Sequence, residues 1–353
     1  MIDIGTALGL QEIDSVSATV DISEVGVMNP NAQAFYGINP HSSHVRVARV
    51  VGVTTVASLP AGGILSGQAA LINLSGATPR EMAVLPSAAL VINFPSLGSS
   101  FNVSAATTQE SQNLTEAVAS RDRNVEQLRN TLRDAEAYGR AHDAYARDKS
   151  LPRPARSVVL ESLVPFVRGE RLVIIRANRE QEIRDAVRFA QEMRLRAAIL
   201  GGNDAWKVVD LLREQRVPVI LTGVMDLPPR EDDYYDTLYE NASRLQKAGV
   251  MFSISTGDTG AQVRDLPFHA GMAAAFGLPR SEALKAVTLY PAQIMNVADR
   301  LGSLEPGKVA NLVVTDGDLL EARTNVKYLF IKGEQIPLTS RHTELYEEFK
   351  NRD

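Results

Sequence analysis

Eight short runs of apolar, largely β-branched residues recur along this chain, with helical spacing between many of them. The runs are Met1–Ile4, Val51–Ala57, Ala69–Leu74, Ala88–Phe94, Leu172–Ile175, Ala197–Leu200, Val217–Leu221 and Val250–Ser255. Strands buried on both faces read as unbroken apolar runs, because neither face meets water. Amphipathic patterns at Glu180–Met193, Asp204–Gln215 and Asp236–Ala248 supply helices to cover them. Eight strands alternating with helices predict an α/β protein, a (β/α)8 barrel, with a doubly wound open sheet as the competitor. No GxGxxG follows an early strand, which lowers the competitor without removing it.

Two regions break the rhythm. Leu114–Lys149 is charged, Ala-rich and free of proline, with Leu114, Val118, Val125, Leu128 and Leu132 at helical spacings. It predicts a long amphipathic helix or helical hairpin standing off the barrel. Covering one flank is the favoured reading, and an association surface is the alternative. Leu151–Arg156 (LPRPAR) reads as a proline-set linker. Beyond Pro291, Leu301–Val314 and Asn325–Ile336 predict short strands between turns, and Arg341–Asn351 a closing helix with Thr343 and Glu344 near its start. The expected organisation is a barrel over residues 1–298, with a helical insertion around 112–150. Residues 299–353 then hold the C-terminal strands of a small composite β-sandwich and the closing helix. No internal repeat is visible.

Composition narrows the function classes. The chain has 353 residues, with 37 Lys and Arg against 42 Asp and Glu. No basic block offers a footprint for nucleic acid, so none is expected as a partner. There is no cysteine, which excludes disulfides, thiolate nucleophiles and cysteine-bound zinc. No apolar run approaches the roughly 20 residues a membrane-spanning helix needs, so no membrane role is expected. The default location is cytoplasmic, with periplasm or secretion open if a signal peptide precedes Met1.

Several segments carry a resemblance. LGSLEPGKVANLVVTDGDLLE (Leu301–Glu321), followed by VKYLFIKGEQIPL (Val326–Leu338), resembles the C-terminal hallmark of the amidohydrolase superfamily. FGLPRSEALKAVTLYPAQIMNV (Phe276–Val297) is similar to the helix pair before that hallmark. GVTTVASLPAGGILSGQAALINL (Gly52–Leu74) resembles the second-strand region of the imidazolonepropionase-like and prolidase-like branch. The resemblance spans nearly the whole chain. It implies a distorted TIM barrel of the metal-dependent hydrolase type with a partial β-sandwich. It also implies hydrolysis of C–N bonds by metal-activated water, since a bound metal lowers the pKa of water to about 7 and polarises a carbonyl.

Carried over position by position, the resemblance predicts no metal site. Where the family's first strand places a His-x-His pair after Ile-Asp, Ile2 and Asp3 are followed by Gly5 and Ala7. Val91 stands at the best match to the bridging lysine, Arg176 and Asn178 at the fifth-strand histidine, Gly201 at the sixth-strand histidine, and Gly257 at the last-strand aspartate. None of these is an ordinary ligand for a hydrolytic divalent metal. Asp258 lies one residue late and, with Asp204, is a weak candidate for a general base. Arg176, Asn178, Arg179 and Asn203 are candidate ligand-binding residues at the mouth, with Arg176 placed to pair with Asp204 or Asp258 or to hold a small carboxylate. His41 and His44, spaced i and i+3, would share one helix face. His269 reads as packing, and His142 and His342 as exposed. Trp206 reads as packing, and Asp226–Asp236 as a rim or lid over the mouth.

The resemblance also implies strands upstream of Met1 that would complete the sandwich. A start codon placed too late is the favoured explanation, and a naturally shortened chain the other. The functional expectation is a metal-free pseudoenzyme without a cofactor, a structural or regulatory partner of an active relative or a homo-oligomer. A hydrolase with altered, metal-poor chemistry and a binder of a small carboxylate metabolite are the alternatives.

Overall fold

The computed structural model describes residues 1–96, 114–257, 259–350 and 352. All eight expected strands form. They are β1 (Ile2–Thr6), β2 (Thr55–Ser58), β3 (Leu65–Asn73), β4 (Ala83–Asn93), β5 (Leu172–Ala177), β6 (Ala197–Gly201), β7 (Val219–Leu221) and β8 (Phe252–Ile254). They make one sheet in the order of the chain, curled into a nearly closed barrel. Alternation along each strand divides the apolar residues into two cores. Ile4, Leu71, Val91, Ile174, Leu200 and Ile220 fill the interior, plugged at one end by Ile294, Met295 and Val297. Ile72, Ile92, Val173, Ile175 and Ile199 face outward against the helices.

The barrel departs from strict alternation at β3, which runs antiparallel to both β2 and β4. An apolar run shows burial but carries no direction. The reversal is made by the short turn after β2, where Gly62 and Gly63 have φ of +77° and +62°. A Cβ on Gly63 would lie 2.7 Å from the Val27 carbonyl, so only glycine fits.

The insertion is one continuous helix, Leu114–Arg147, and it lies on the barrel flank rather than standing off. Leu128, Leu132 and Ala135 are fully buried along one stripe. Arg121 pairs with Asp185 at 2.5 Å and Arg129 with Glu192 at 2.8 Å, which ties this helix to the one over Glu180–Glu192. His142, expected to be exposed, is half-buried beside Tyr138 with ring centroids 4.2 Å apart. Both line a cavity of about 660 Å³ between this helix and residues 153–170, well away from the barrel mouth.

At the C-terminus, β9 (Leu312–Thr315), β10 (Val326–Ile331) and β11 (Glu334–Ile336) form a small antiparallel sheet in the order β11-β10-β9. The strand expected from Leu301 begins only at Leu312, because residues up to there are spent on turns that include Pro306 and Gly307. The closing helix Arg341–Phe349 starts at Ser340, whose hydroxyl accepts from Thr343 N while the Thr343 hydroxyl accepts from Ser340 N. Among the described residues no helix is long and apolar enough to cross a membrane.

Candidate site at the barrel mouth

The parallel strands end together at one rim, the face where barrels of this class bind ligands. Backbone pairing joins each strand to the next from β1 to β8, and no ladder joins β8 back to β1. A side chain bridges that seam. Asp3, fully buried on β1, accepts from Gly5 N at 3.1 Å and from the Ser255 hydroxyl through Oδ1. Its Oδ2 accepts from Thr256 N at 3.1 Å and from the Thr256 hydroxyl at 2.6 Å. Four neutral donors thus satisfy a buried carboxylate, the arrangement that makes such burial tolerable. The sequence marked Asp3 only as a neighbour of Gly5; its other three donors lie more than 250 residues away, and no local pattern announces them.

The positions expected to lack ligands have little room for them. A Cβ on Gly5 would meet the Ser255 hydroxyl at 2.6 Å and Leu200 Cδ1 at 2.9 Å. Gly201 has φ +104°, and a Cβ there would collide with the Asn178 side-chain oxygen. The fully buried Val91 belongs to the interior core. Gly257 has φ +94°, and Asp258 lies outside the described residues. Among the described residues, no three His, Asp or Glu side chains gather as a metal-holding group.

Around the rim, Arg176 continues the row of Leu172 and Ile174, which face the barrel interior, and is half-buried. Asn178 and Arg179 are exposed at the end of β5. Their backbone amides both donate to Glu182 Oε2 at 3.1 Å, and Arg179 forms the N-cap of the following helix. Asn203 is half-buried after β6, its carbonyl accepting from Asn241 Nδ2 at 3.3 Å.

Asp204 is buried, with partners other than the expected Arg176. Arg230 donates to Oδ2 at 2.7 Å, Lys207 lies 3.0 Å from Oδ1, and Glu180 N donates at 3.1 Å. Burial alone would raise its pKa. The bonds from Arg230, Lys207 and the Glu180 amide outweigh that and hold the carboxyl below its ordinary range. Arg230 sits in the loop after β7, so this ion pair pins that loop to the end of β6. Trp206 packs beside it, under the Arg244 guanidinium 4.4 Å from the ring centre.

The histidines do not converge. Ser42 caps the helix Ser43–Val50 by accepting from His44 N, which leaves His41 ahead of the helix. The shared helix face expected for the pair is therefore absent, and His44 Nε2 instead contacts Glu12 O at 3.0 Å. His269 is buried, and its Nδ1 has no hydrogen-bond partner among the described residues. Burial pushes its pKa down, against the opposing charges of Asp3, Asp226 and Asp265.

Comparison with known proteins agrees with this architecture. An amidohydrolase from Thermotoga maritima superposes with a TM-score of 0.81 at 22% identity, covering 96% of this chain and 86% of that one. Residues 184–336 match the amidohydrolase family model. Over those residues, less than half of the chain, it is similar to that family, and the superposition shows the shared fold. A stretch of 37 residues is 51% identical to the N-acetylglucosamine-6-phosphate deacetylase of Haemophilus influenzae, 10% of either chain. A stretch of 116 residues is 28% identical to an Escherichia coli protein named "Putative N-acetylgalactosamine-6-phosphate deacetylase", 33% of this chain and 65% of that one. The chain therefore aligns with less than two thirds of the length of either curated relative.

Proposed function

We propose that this amidohydrolase-like chain does not work through a bound hydrolytic metal and serves as a non-hydrolytic partner protein. The observation that carries the reading is the refilled rim. Ser255 and Asn178 take the space that side chains at positions 5 and 201 would need. Asp3, the carboxylate beside them, is consumed by four donors that hold the barrel seam. The described donor set does not fit a divalent metal, which wants several free imidazole or carboxylate groups.

The test is metal analysis of the full-length chain purified after growth with added zinc, manganese and iron. Well under 0.1 metal per chain, with no thermal shift on adding zinc, is the expected result. About one tightly held ion per chain sinks the reading. The same preparation assayed with N-acetylglucosamine 6-phosphate and N-acetylgalactosamine 6-phosphate, chosen from the names of the relatives, should show no turnover above the uncatalysed rate.

Metal-poor hydrolysis with Asp204 as general base is disfavoured, because both its oxygens are held by Arg230, Lys207 and a backbone amide and its basicity is low. Binding of a small carboxylate is a second reading, favoured by the guanidinium of Arg176 on the interior row of β5, with Asn178, Arg179 and Asn203 on the same rim. Saturable thermal stabilisation by succinate or benzoate, abolished in Arg176→Ala, would support it, and indifference to both ligands would remove it.

A further inference from the structure

Large apolar side chains left in water concentrate at the same rim. Among the described residues twenty are exposed, and nine of them sit on two segments, residues 10–36 after β1 and residues 222–236 after β7. Val25 is 98% exposed, Leu227 85%, Tyr234 81% and Tyr36 80%. β1 and β7 run the same way round the barrel, so both segments leave its C-terminal end. The segment after β8 lies between them: Thr6 Oγ1 donates to Thr259 O at 3.5 Å, and a Cβ on Gly257 would come within 3.8 Å of Thr222. Scattered exposed apolar residues need no explanation, but a concentration on two loops of one face marks a contact surface.

Charge decides what the surface would accept. Residues 10–36 carry four carboxylates, among them Asp14 and Glu24, and no cation. Residues 222–236 carry five, among them Glu231 and Asp232, and their single cation, Arg230, is committed to Asp204. The rest of the chain is slightly basic by comparison. An apolar surface set among carboxylates repels phosphate-bearing partners such as nucleic acid and anionic lipid. It suits a protein segment that presents aliphatic anchors flanked by Lys or Arg. We infer that the loops after β1 and β7 form a docking rim for a cationic amphipathic segment of a partner protein. This names the chemistry of the partner in the proposed function and rests on that reading for its purpose, though not for its detection.

The experiment uses the full chain and three fluorescein-labelled 18-residue peptides: Lys/Leu with helical amphipathic spacing, Lys/Ser of equal charge, and Glu/Leu of equal apolar content. Fluorescence anisotropy should show saturable binding of the Lys/Leu peptide alone. The affinity should fall roughly tenfold between low salt and about 1 M salt, because the attraction is screened. It should also fall at least about tenfold in the triple variant Leu227→Ser, Tyr234→Ser, Tyr235→Ser, which removes the anchors. Those side chains are exposed, so the variant should keep the parent circular dichroism spectrum. A second variant, Glu231→Lys with Asp232→Lys, should weaken binding while leaving the apolar surface intact.

Failure of the Lys/Leu peptide to saturate, equal binding by the Glu/Leu peptide, or unchanged binding in both variants overturns the inference. So does preferential binding to phosphatidylserine vesicles. The metal assay is read separately. A metal-bearing chain that still binds the Lys/Leu peptide removes the proposed function alone, and a metal-free chain that ignores the peptide removes the docking rim alone.

Discussion

Two buried carboxylates stand at the barrel rim, and the structure satisfies them in opposite ways. Asp3 is held entirely by neutral donors, two hydroxyls and two backbone amides, at the seam between β1 and β8. Asp204 is held mainly by cations, Arg230 and Lys207, whose side chains remain 40% and 24% exposed. The first arrangement surrounds a buried carboxyl with neutral donors and stands in for a missing backbone ladder. The second neutralises its charge and anchors a loop. Removing Asp3 leaves several buried donors without acceptors, whereas removing Asp204 leaves two cations that can turn to water.

The largest expected effect follows directly. Asp3→Ala should destabilise the chain by about 3–5 kcal/mol, as expected when several buried donors lose their acceptor at once. Asp3→Asn, which keeps one acceptor oxygen, should cost clearly less. Urea denaturation measures both, and a cost below about 1 kcal/mol for Asp3→Ala would show that the seam does not depend on this side chain.

Asp204→Ala should cost less, about 2 kcal/mol, since its partners are partly solvated already. Its pH behaviour sharpens the contrast. A carboxyl whose folded pKa is depressed contributes stability that is complete above the unfolded value of about 3.9 and is lost as pH falls toward the folded one. The parent chain should therefore lose stability below about pH 4 more steeply than Asp204→Asn. Added salt should narrow the gap between parent and Asp204→Ala, because that ion pair is screened. The gap between parent and Asp3→Ala should hardly move. Equal salt responses at the two sites would collapse the distinction.

The same contrast explains what was legible in the sequence. The eight strands show because burial on both faces writes itself into every residue of a run, as in Leu172–Ile175 or Ala197–Leu200. The direction of β3 does not show, since Ala69–Leu74 would read the same either way and the reversing glycines resemble any flexible loop. The long helix was visible from its stripe and a flank seat was the favoured reading, but the ion pairs that fix it involve Glu192 and Asp185, which belong to another element. Arg176, Asn178, Arg179, Asn203 and Asp204 lie at or just after the ends of β5 and β6, which follows once the strands are read. The partners of the rim carboxylates were not legible, because Arg230 reaches Asp204 from a proline-containing loop 26 residues on and Ser255 reaches Asp3 across the seam from far along the chain. His41 and His44 were misplaced for a local reason that could have been read: Ser42, the first of two serines between them, is a good N-cap, which leaves His41 outside the helix.

The smallest expected effect tests whether the rim is refilled or merely empty. In the parent, Gly5→Ala forces a methyl group to within 2.6 Å of the Ser255 hydroxyl, a contact that must move one of them. Overpacking of this kind costs about 1–3 kcal/mol. With Ser255→Ala already present the hydroxyl is gone, and the second substitution should cost at least about 1 kcal/mol less, the coupling expected between residues in direct contact. Ser255→Ala alone also removes one donor from Asp3, so the comparison must run as a full double-mutant cycle rather than from single variants. A coupling near zero would mean that the Ser255 hydroxyl does not limit the space above Gly5 and is not what refills it. The contrast between a sealed seam at Asp3 and an adaptable clamp at Asp204 would then lose its first half.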